Sequence, residues 1–321
     1  MPMRDRLLAA LVAVCWGLNF PAIHLSLEQF PPFFLVALRF ALIAVPTLLL
    51  VPRPTAPWRW IALYGLGFGV LQFAFLYLAM SGGMPTGLAS LVLQSSAPFT
   101  VLLAGVLLRE RITARQGAGI LLAVAGLAGI AVYRAGQVGG AALLPVLLTL
   151  CAGLGWAVGN LGSRRAGQAQ PAEPVRLMLW MSVVPPLPLL ALSLVVEGPT
   201  RIAGSFQGLG STRGLLALGG LAFTVVVATL VGSGLWTTLM GRHPSSTVAP
   251  FSMLVPVVGI AASWLLLRER TSPTELACGA LVVAGVLLGS TRGRRSASGG
   301  GATVPATASA RPLDPRPASR T

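Results

Sequence analysis

The chain has 321 residues and a formal net charge of +15, yet only 10% of its residues are charged and 55% are hydrophobic. Its mean hydropathy of +0.80 excludes an ordinary soluble enzyme and predicts a protein that crosses a membrane several times. All the basic residues apart from histidine are arginine, and because lysine is absent, a P-loop ATPase site and a lysine Schiff base are excluded.

Ten apolar stretches of the length that a bilayer requires follow one another along the chain. They are too long and too continuously apolar to be barrel strands, so the sequence predicts an all-α integral membrane protein. The predicted spans are 7–23, 33–51, 58–80, 84–108, 116–133, 142–161, 175–196, 214–240, 245–267 and 274–289.

The first three predicted spans contain polar side chains that hydrocarbon would not tolerate unless they face protein or a cavity. Trp16 and Asn19 are three residues apart and share one face of a helix. Arg39 is the only charged residue well inside a span. It could bind a substrate carboxylate through its planar guanidinium, or it could extend along its stem to the membrane surface. Gln72 is a weaker candidate of the same kind.

The fourth and ninth spans each contain a proline, Pro98 and Pro256. A proline removes the hydrogen bond to the carbonyl four residues earlier, so the carbonyls of Gln94 and Ser252 are predicted to be free. Both residues also have polar side chains and could contact a ligand. The alternative is that the two kinks only shape helix packing.

The same two spans end in the same five letters, LLRER, at 107–111 and 266–270, and similar apolar segments follow each copy. The duplication predicts two repeats, 7–133 and 142–289. Each repeat has an odd number of spans, so the second must be inserted upside down, with a shared site near the midplane. We interpret the closing arginines as helix C-caps rather than as a gating ion pair.

The sixth span carries Trp156 and Asn160, four residues apart on one face. Under inverted symmetry this pair approaches the centre from the side opposite Trp16 and Asn19. Indoles can stack on a substrate or its ammonium group, and amides can donate and accept hydrogen bonds. The alternative is that these side chains fill core space and join neighbouring helices. The patterns Gly65-x-x-x-Gly69 and Gly155-x-x-x-Gly159 predict close helix packing.

No Asp or Glu falls in the middle of a predicted span, so the buried carboxylate of a proton relay is missing. Facilitated export or exchange is therefore at least as well supported as proton coupling, for which Glu275, His24 and His243 are the available groups. A membrane-embedded enzyme would need an Asp pair, a His-Glu-x-x-His helix or a Cys/His couple, and none is recognisable. We expect no cofactor and no metal.

Most arginines outside the spans lie on one side of the membrane if the N-terminus is cytoplasmic. This places both termini in the cytoplasm and the protein in the inner (plasma) membrane. The positive charge thus follows topology rather than a nucleic-acid partner. Residues 290–321 lack apolar periodicity and are predicted to form a disordered cytoplasmic tail. The expected partners are a small-molecule substrate and the lipid bilayer, and the oligomeric state is left open.

The stretch 7–289 resembles the EamA family of the drug/metabolite transporter superfamily. The resemblance rests on the residues WGLNF at 16–20, on the two repeats and on their Arg-Glu-Arg closures. The stretches WGLNFPAIH, PPFFLVALRF, QFAFLYLAMSGGMPTGLASLVLQ and VAPFSMLVPVVG are similar to those of bacterial O-acetylserine/cysteine exporters. The resemblance implies a ten-helix exporter of small metabolites that works by alternating access. Aromatic amino acids, drugs and sugar-phosphate-like metabolites remain alternative substrates.

Overall fold

The computed structural model describes residues 1–107, 109, 112–138, 143–171 and 173–290, without the side chains of 245 and 246. Over these ranges the chain contains no strand and has ten helices long and apolar enough to span a membrane, which confirms the predicted all-α fold. Residues 291–321 of the predicted tail and the second and third letters of the first Arg-Glu-Arg closure lie outside the described residues, whereas residue 290 belongs to the last helix. The helices are α1 (Met3–Leu27), α2 (Pro32–Leu50), α3 (Trp58–Ser81), α4 (Thr86–Leu107), α5 (Ala114–Gln137), α6 (Leu143–Ala169), α7 (Pro174–Val196), α8 (Thr212–Arg242), α9 (Ala249–Leu267) and α10 (Pro273–Ser290).

The predicted limits of several helices were too short, and α1 extends four residues beyond the predicted 7–23 at each end. Helix α6 continues from the predicted end at 161 to Ala169, so Arg164 and Arg165 belong to the helix rather than to a loop. Arg134 likewise lies within α5, where its Nη1 is 3.8 Å from Glu275 Oε1. An arginine near a helix end can place its charge at a polar partner or at the membrane surface, so the helix continues through it. The arginine lowers the local hydropathy, however, and a span predicted from hydropathy therefore ends too early.

The helices of the two halves pack against each other reciprocally. Helix α1 packs against α8 and α9, whereas α6 packs against α3 and α4. Helix α5 pairs with α10, and α2 pairs with the second part of α7. The first helix of each half therefore lies against the third and fourth helices of the other half. This arrangement places α1 and α6 at the centre of the bundle.

Glycines bring α3 and α6 into backbone contact. A Cβ atom added to Gly67 would lie 2.3 Å from the backbone nitrogen of Gly159, and one added to Gly155 would lie 2.7 Å from that of Gln72. Gly65 and Gly69 instead face α7, where Val184 or Pro185 would be within 2.5 Å of an added Cβ. The close packing predicted from the two glycine patterns is therefore confirmed.

The third helix of each half contains a π-helical segment, Gly65–Gln72 in α3 and Phe223–Ser233 in α8. Such segments widen the helix locally, turn side chains out of the regular α-helical register and occur frequently at functional sites. Both segments contribute residues to the centre of the bundle, as described below.

The two LLRER closures share one backbone feature. Arg109 and Arg268 both have left-handed backbones, with φ of 54° and 60°. At Arg268 this conformation ends α9, and the backbone N–H of Arg268 donates to the carbonyl of Ser263. Arg268 therefore occupies the C-cap position of α9, whereas the capping role of the closing arginine side chains stays a prediction. A residue with a Cβ pays about 1–2 kcal/mol for this conformation, which glycine would adopt without strain.

Candidate functional site

Two cavities meet at the centre of the bundle. We call the smaller one, of about 60 Å³, the deep cavity and the larger one, of about 650 Å³, the wide cavity. Trp16, Gln94, Trp156 and Val255 line both cavities and form the layer where they meet. Other lining residues of the deep cavity include Asn19, Arg39, Phe68, Gln72, Phe73, Leu76, Ser90 and Ser233. Those of the wide cavity include Thr100, Asn160, Arg164, Trp236, Met240 and Ser252.

The wide cavity lies toward the end of the bundle at which the N-terminus is located. Asp5 Oδ2 is 2.6 Å from His243 Nε2, so the start of α1 and the end of α8 share this end. Met240, one turn before His243, and Arg164 line the wide cavity and are exposed. The deep cavity is closed on the opposite side, where its lining residue Leu76 is only 1% exposed.

The opposite end, which we call the far end, is closed by contacts between the two halves. The carboxylate of Glu269, just after α9, accepts hydrogen bonds from the Thr86 hydroxyl (2.7 Å) and the Gly87 N–H (3.3 Å) at the start of α4. A carboxylate at this position also complements the positive end of the α4 dipole. One turn deeper the two helices touch, because a Cβ added to Gly259 would lie 2.6 Å from Ser90 Oγ.

The two predicted tryptophans both lie at the junction of the cavities, and each is held by an aromatic neighbour. The Trp16 indole N–H donates to the carbonyl of Ala228 (3.0 Å), and its ring centroid is 5.1 Å from that of Trp236. Trp156 makes an edge-to-face contact with Phe68 at 6.0 Å. These contacts fix the indoles while leaving part of each ring toward the cavities.

The two predicted asparagines are also at the cavities, but at different depths. Asn19 lines the deep cavity, and its Oδ1 accepts a hydrogen bond from the Thr224 hydroxyl (2.8 Å). Asn160 lines the wide cavity, and its Nδ2 donates to Thr100 Oγ1 (3.1 Å). Each amide therefore joins neighbouring helices and also lines a cavity, so the two interpretations of these residues are compatible.

Arg39 is at the deep cavity and does not reach the membrane surface, so the predicted alternative of an extended stem is wrong. Only 3% of the Arg39 surface is exposed. Its Nη1 donates to the Tyr77 hydroxyl (3.1 Å), its Nη2 donates to Thr229 Oγ1 (2.8 Å), and its guanidinium carbon is 3.9 Å from the Phe73 ring centroid. Gln72 lines the same cavity, and its buried Oε1 has no partner among the described residues. All of these contacts of Arg39 are with neutral groups.

The two prolines are not at the central cavities. Pro98 borders a small void between α4, α5 and α10, and Pro256 borders a groove between α9 and α10. The side chains four residues earlier fit the prediction better, because Gln94 lines both central cavities and Ser252 lines the wide one.

The carbonyls expected to be free upstream of the prolines are engaged, so that prediction is wrong. The chain tightens into 3₁₀ turns at Leu93–Ser95 and Ala249–Met253. There the N–H groups of Ser96 and Leu254 reach the carbonyls of Gln94 and Ser252. Each of these N–H groups is shared between two carbonyls, because that of Ser96 also reaches Leu93 and that of Leu254 also reaches Phe251.

Sequence reasoning missed several aromatic residues of the site, above all Trp236, Phe68 and Phe73. Trp236 lies on one face of α8 with Ser233 and Met240, at helical spacings of three and four, and all three line the cavities. That spacing was a usable signal. The contributions of Phe68 and Phe73 depend on the π-helical turn of α3, which hydropathy does not reveal.

None of the three groups suggested for proton coupling lines either central cavity. Glu275 is near Arg134, His24 is near Glu28, and His243 pairs with Asp5. The described lining residues of both cavities include no Asp or Glu.

Comparisons with known proteins relate this arrangement to membrane transporters. The model of the EamA-like transporter family matches residues 6–132 and 143–291. A probable amino-acid metabolite efflux pump of Escherichia coli (strain K12) is 40% identical over 292 residues, covering 90% of this chain and 95% of that protein. A protein of the same description from Salmonella typhimurium (strain LT2) is 41% identical over 291 residues, with the same coverage.

Two more distant matches extend the comparison. A probable terminal-alkyne amino-acid exporter of Streptantibioticus cattleyicolor is 29% identical over 287 residues, covering 87% of this chain and 90% of that protein. One crystal structure has a TM-score of 0.59 at 19% identity and covers 90% of this chain and 96% of that chain. At this identity the structural likeness shows the fold alone.

Proposed function

The chain belongs to the EamA-like transporter family, and from this premise we propose that it exports small amino-acid metabolites such as O-acetylserine and cysteine across the inner membrane. The central observation is the wide cavity of about 650 Å³, which ends at a tryptophan layer, with the deep cavity and its buried Arg39 beyond that layer. Small-molecule sites typically have volumes of about 300–1,000 Å³ and a few convergent polar groups in an apolar lining. The names of two relatives at 40% and 41% identity support the substrate class.

The description of two relatives as efflux pumps supports export, and the positive-inside rule favours a cytoplasmic N-terminus. With the N-terminus in the cytoplasm, the wide cavity faces the cytoplasm and the far end faces outward. The structure then corresponds to the state that loads substrate from inside. Release requires the far end to open and the wide cavity to close, which is alternating access around a central site.

Glu269 is the group whose contact must break for the far end to open. Its hydrogen bonds to Thr86 and Gly87 join the two halves above the deep cavity. The inverted repeat inferred from the duplicated closures accounts for how two halves could rock around one site. The repeat limits 7–133 and 142–289 remain part of this proposal.

Substrate contacts come from the lining side chains Trp16, Asn19, Arg39, Gln72, Gln94, Trp156, Asn160 and Ser252. Pro98 and Pro256 act through the shape of α4 and α9 rather than by contact. Drugs without charge are weaker candidates, because the deep cavity contains the positive charge of Arg39. Sugar phosphates are weaker candidates, because Arg39 is the one cation among the described lining residues of that cavity and a phosphate dianion carries two negative charges. Aromatic amino acids remain the alternative class.

Efflux of labelled cysteine and O-acetylserine tests the proposal. Cells that overproduce the protein are expected to release both compounds several-fold faster than cells carrying an empty vector, at matched internal concentrations. Unchanged efflux with the protein present in the inner membrane would refute this substrate assignment. Labelled phenylalanine and tryptophan, measured in the same cells, test the alternative class.

We expect this efflux to survive collapse of the proton gradient. The described lining of both cavities has no carboxylate, and Glu275 lies near Arg134 away from the cavities. An uncoupler added to preloaded cells measures the dependence. Loss of efflux would instead indicate proton coupling, and replacing Glu275, His24 and His243 one at a time would then identify the group.

Replacing both Trp16 and Trp156 by alanine is expected to lower efflux by at least about tenfold, because each indole offers a face to the bound substrate. The change also removes the hydrogen bond from Trp16 to Ala228, so the amount of folded protein must be measured. Trp264→Ala is the matched control, since Trp264 is 57% exposed on the outer face of α9. Equal efflux from the double variant and the control would show that the two tryptophans do not contribute to substrate binding.

A further inference from the structure

We propose that Arg39 anchors the carboxylate of the exported compound and Gln72 accepts its ammonium group, so that the cavity selects α-amino acids over amines. This inference rests on the proposed function and specifies the chemistry of the same site. It requires three points: that the charge of Arg39 is uncompensated, that the deep cavity fits a carboxylate, and that an acceptor for the ammonium group is at hand.

The charge of Arg39 meets only neutral partners. Two of its five N–H groups donate to Tyr77 and Thr229, and its Nε is buried without a partner among the described residues. The aromatic ring of Phe73 covers one face at 3.9 Å. A buried guanidinium is costly in a membrane unless an anion pairs with it. Arg39 can therefore bind an anion, and no described acidic side chain provides one at this position.

The described acidic residues are all engaged elsewhere. They contact histidines, arginines or helix N-termini, and none lies at the deep cavity. The pairs are Asp5 with His243, Glu28 with His24 and Arg213, Glu173 with Arg176, Glu197 with the N–H groups of Phe33 and Phe34, Glu269 with Thr86 and Gly87, and Glu275 with Arg134. A substrate carboxylate is thus the anion available to Arg39 at the centre of the bundle.

The size of the deep cavity sets the orientation of the substrate. Its volume of about 60 Å³ accommodates a carboxylate or a few water molecules but not a whole amino acid. The rest of the molecule must lie beyond Trp16 and Trp156 in the wide cavity of about 650 Å³. The common head group of an amino acid therefore enters the deep cavity, and variable side chains fit the wide one.

Gln72 provides the acceptor for the ammonium group. It is 3% exposed, its Oε1 is buried without a partner in the described part of the chain, and it lines the deep cavity together with Arg39. An unpaired buried acceptor is unfavourable, and a bound ammonium group would satisfy it. A cation alone would instead be repelled by the nearby guanidinium, which explains the selection against amines.

Three compounds that differ in one group each test the inference: cysteine, cysteamine, which lacks the carboxylate, and 3-mercaptopropionate, which lacks the amine. The purified protein is titrated with each compound, and ligand binding is measured as a rise in the unfolding temperature. Cysteine is expected to bind most tightly, 3-mercaptopropionate more weakly, and cysteamine at least about tenfold more weakly than 3-mercaptopropionate. Binding is measured without transport, so the result does not depend on the efflux assay.

Variants separate a role in binding from a role in folding. Arg39→Gln is expected to weaken the binding of cysteine and 3-mercaptopropionate about 10- to 100-fold and to abolish the selection against cysteamine. Arg39→Lys keeps the charge without the planar fork and should retain the selection at reduced affinity. Gln72→Leu should weaken cysteine binding but not that of 3-mercaptopropionate. Arg213→Gln, which removes an exposed charge at the far end, is the control.

The inference is overturned if cysteamine binds the unmodified protein as tightly as cysteine, if none of the three compounds binds, or if folded Arg39→Gln protein keeps the selection. If the Arg39→Gln variant does not fold, the Arg39→Lys variant provides the test. Loss of the selection against cysteamine in folded Arg39→Lys protein would contradict the inference. Selective binding of carboxylates without any efflux from cells would refute the proposed export and leave the anchor standing.

Discussion

A Glu269→Gln variant is expected to populate the state open at the far end about tenfold more than the unmodified protein. In the structure the carboxylate accepts hydrogen bonds from Thr86 Oγ1 (2.7 Å) and the Gly87 N–H (3.3 Å), at the positive end of the α4 dipole. A hydrogen bond to a charged group contributes about 1.5–3 kcal/mol, and an amide replaces only part of it. A loss of about 1.4 kcal/mol changes an equilibrium tenfold.

Labelling of a cysteine beneath the far end measures this change. Ser90 is 1% exposed and lines the deep cavity, so a Ser90→Cys substitution, made after replacing Cys15, Cys151 and Cys278, reports opening. A membrane-impermeant maleimide added outside should label this cysteine about tenfold faster when Glu269→Gln is also present. Thr86→Val should have a smaller effect in the same direction.

The control for this experiment is Glu28→Gln, which removes a half-exposed carboxylate at the same end and should not alter labelling. The double variant Thr86→Val with Glu269→Gln should be labelled no faster than Glu269→Gln alone, because both changes break one contact. Unchanged labelling in a folded Glu269→Gln protein would show that this contact does not hold the far end closed.

A Gly67→Ala variant is expected to lose about 3 kcal/mol of stability. The added Cβ would lie 2.3 Å from the backbone nitrogen of Gly159 and 2.7 Å from its Cα. Both are main-chain atoms of α6 and cannot move aside as a flexible side chain would. Helices α3 and α6 must therefore separate, and the contacts that position Trp156 and Gln72 at the cavities would be lost with them.

The unfolding temperature of the purified protein in detergent measures this effect. A decrease of about 5 °C or more is expected for Gly67→Ala. Gly219→Ala on α8 is the matched control, since no atom lies within 4 Å of its added Cβ. That variant should be as stable as the unmodified protein or slightly more so, because alanine favours a helix more than glycine. Equal unfolding temperatures for the two variants would contradict the close packing of α3 and α6.

The ten helices could be predicted because they depend on properties that lie along the chain, whereas the division into two repeats stays a prediction. Hydrocarbon requires long apolar helices, so hydropathy alone locates them. The predicted helix limits were wrong where a helix extends beyond the hydrocarbon. At the end of α6, for example, Arg164 and Arg165 continue the helix into a polar region. Polar side chains such as Arg39 and Gln72 could also be found from the sequence, because they interrupt apolar spans that hydropathy locates.

The fate of the proline-disrupted turns could not be predicted in the same way. A sequence shows which bonds a proline removes, but not which partners replace them, and here the shared N–H groups of Ser96 and Leu254 reach the carbonyls of Gln94 and Ser252. The positions of Pro98 and Pro256 around the helix axis likewise depend on how α4 and α9 are rotated. That rotation is set by neighbours distant in sequence.

The sequence alone therefore determined the membrane-spanning class, the number of helices, the duplicated closures and most polar residues of the candidate site, because each follows from local composition or spacing. Only the tertiary structure decided that the site is a small cavity joined to a large one, that Trp236, Phe68 and Phe73 belong to it, and that Arg39 stays inside. These features depend on contacts between helices that are far apart in the chain, as between Arg39 of α2 and Thr229 of α8. Such contacts form by the packing of whole helices, which no single segment encodes.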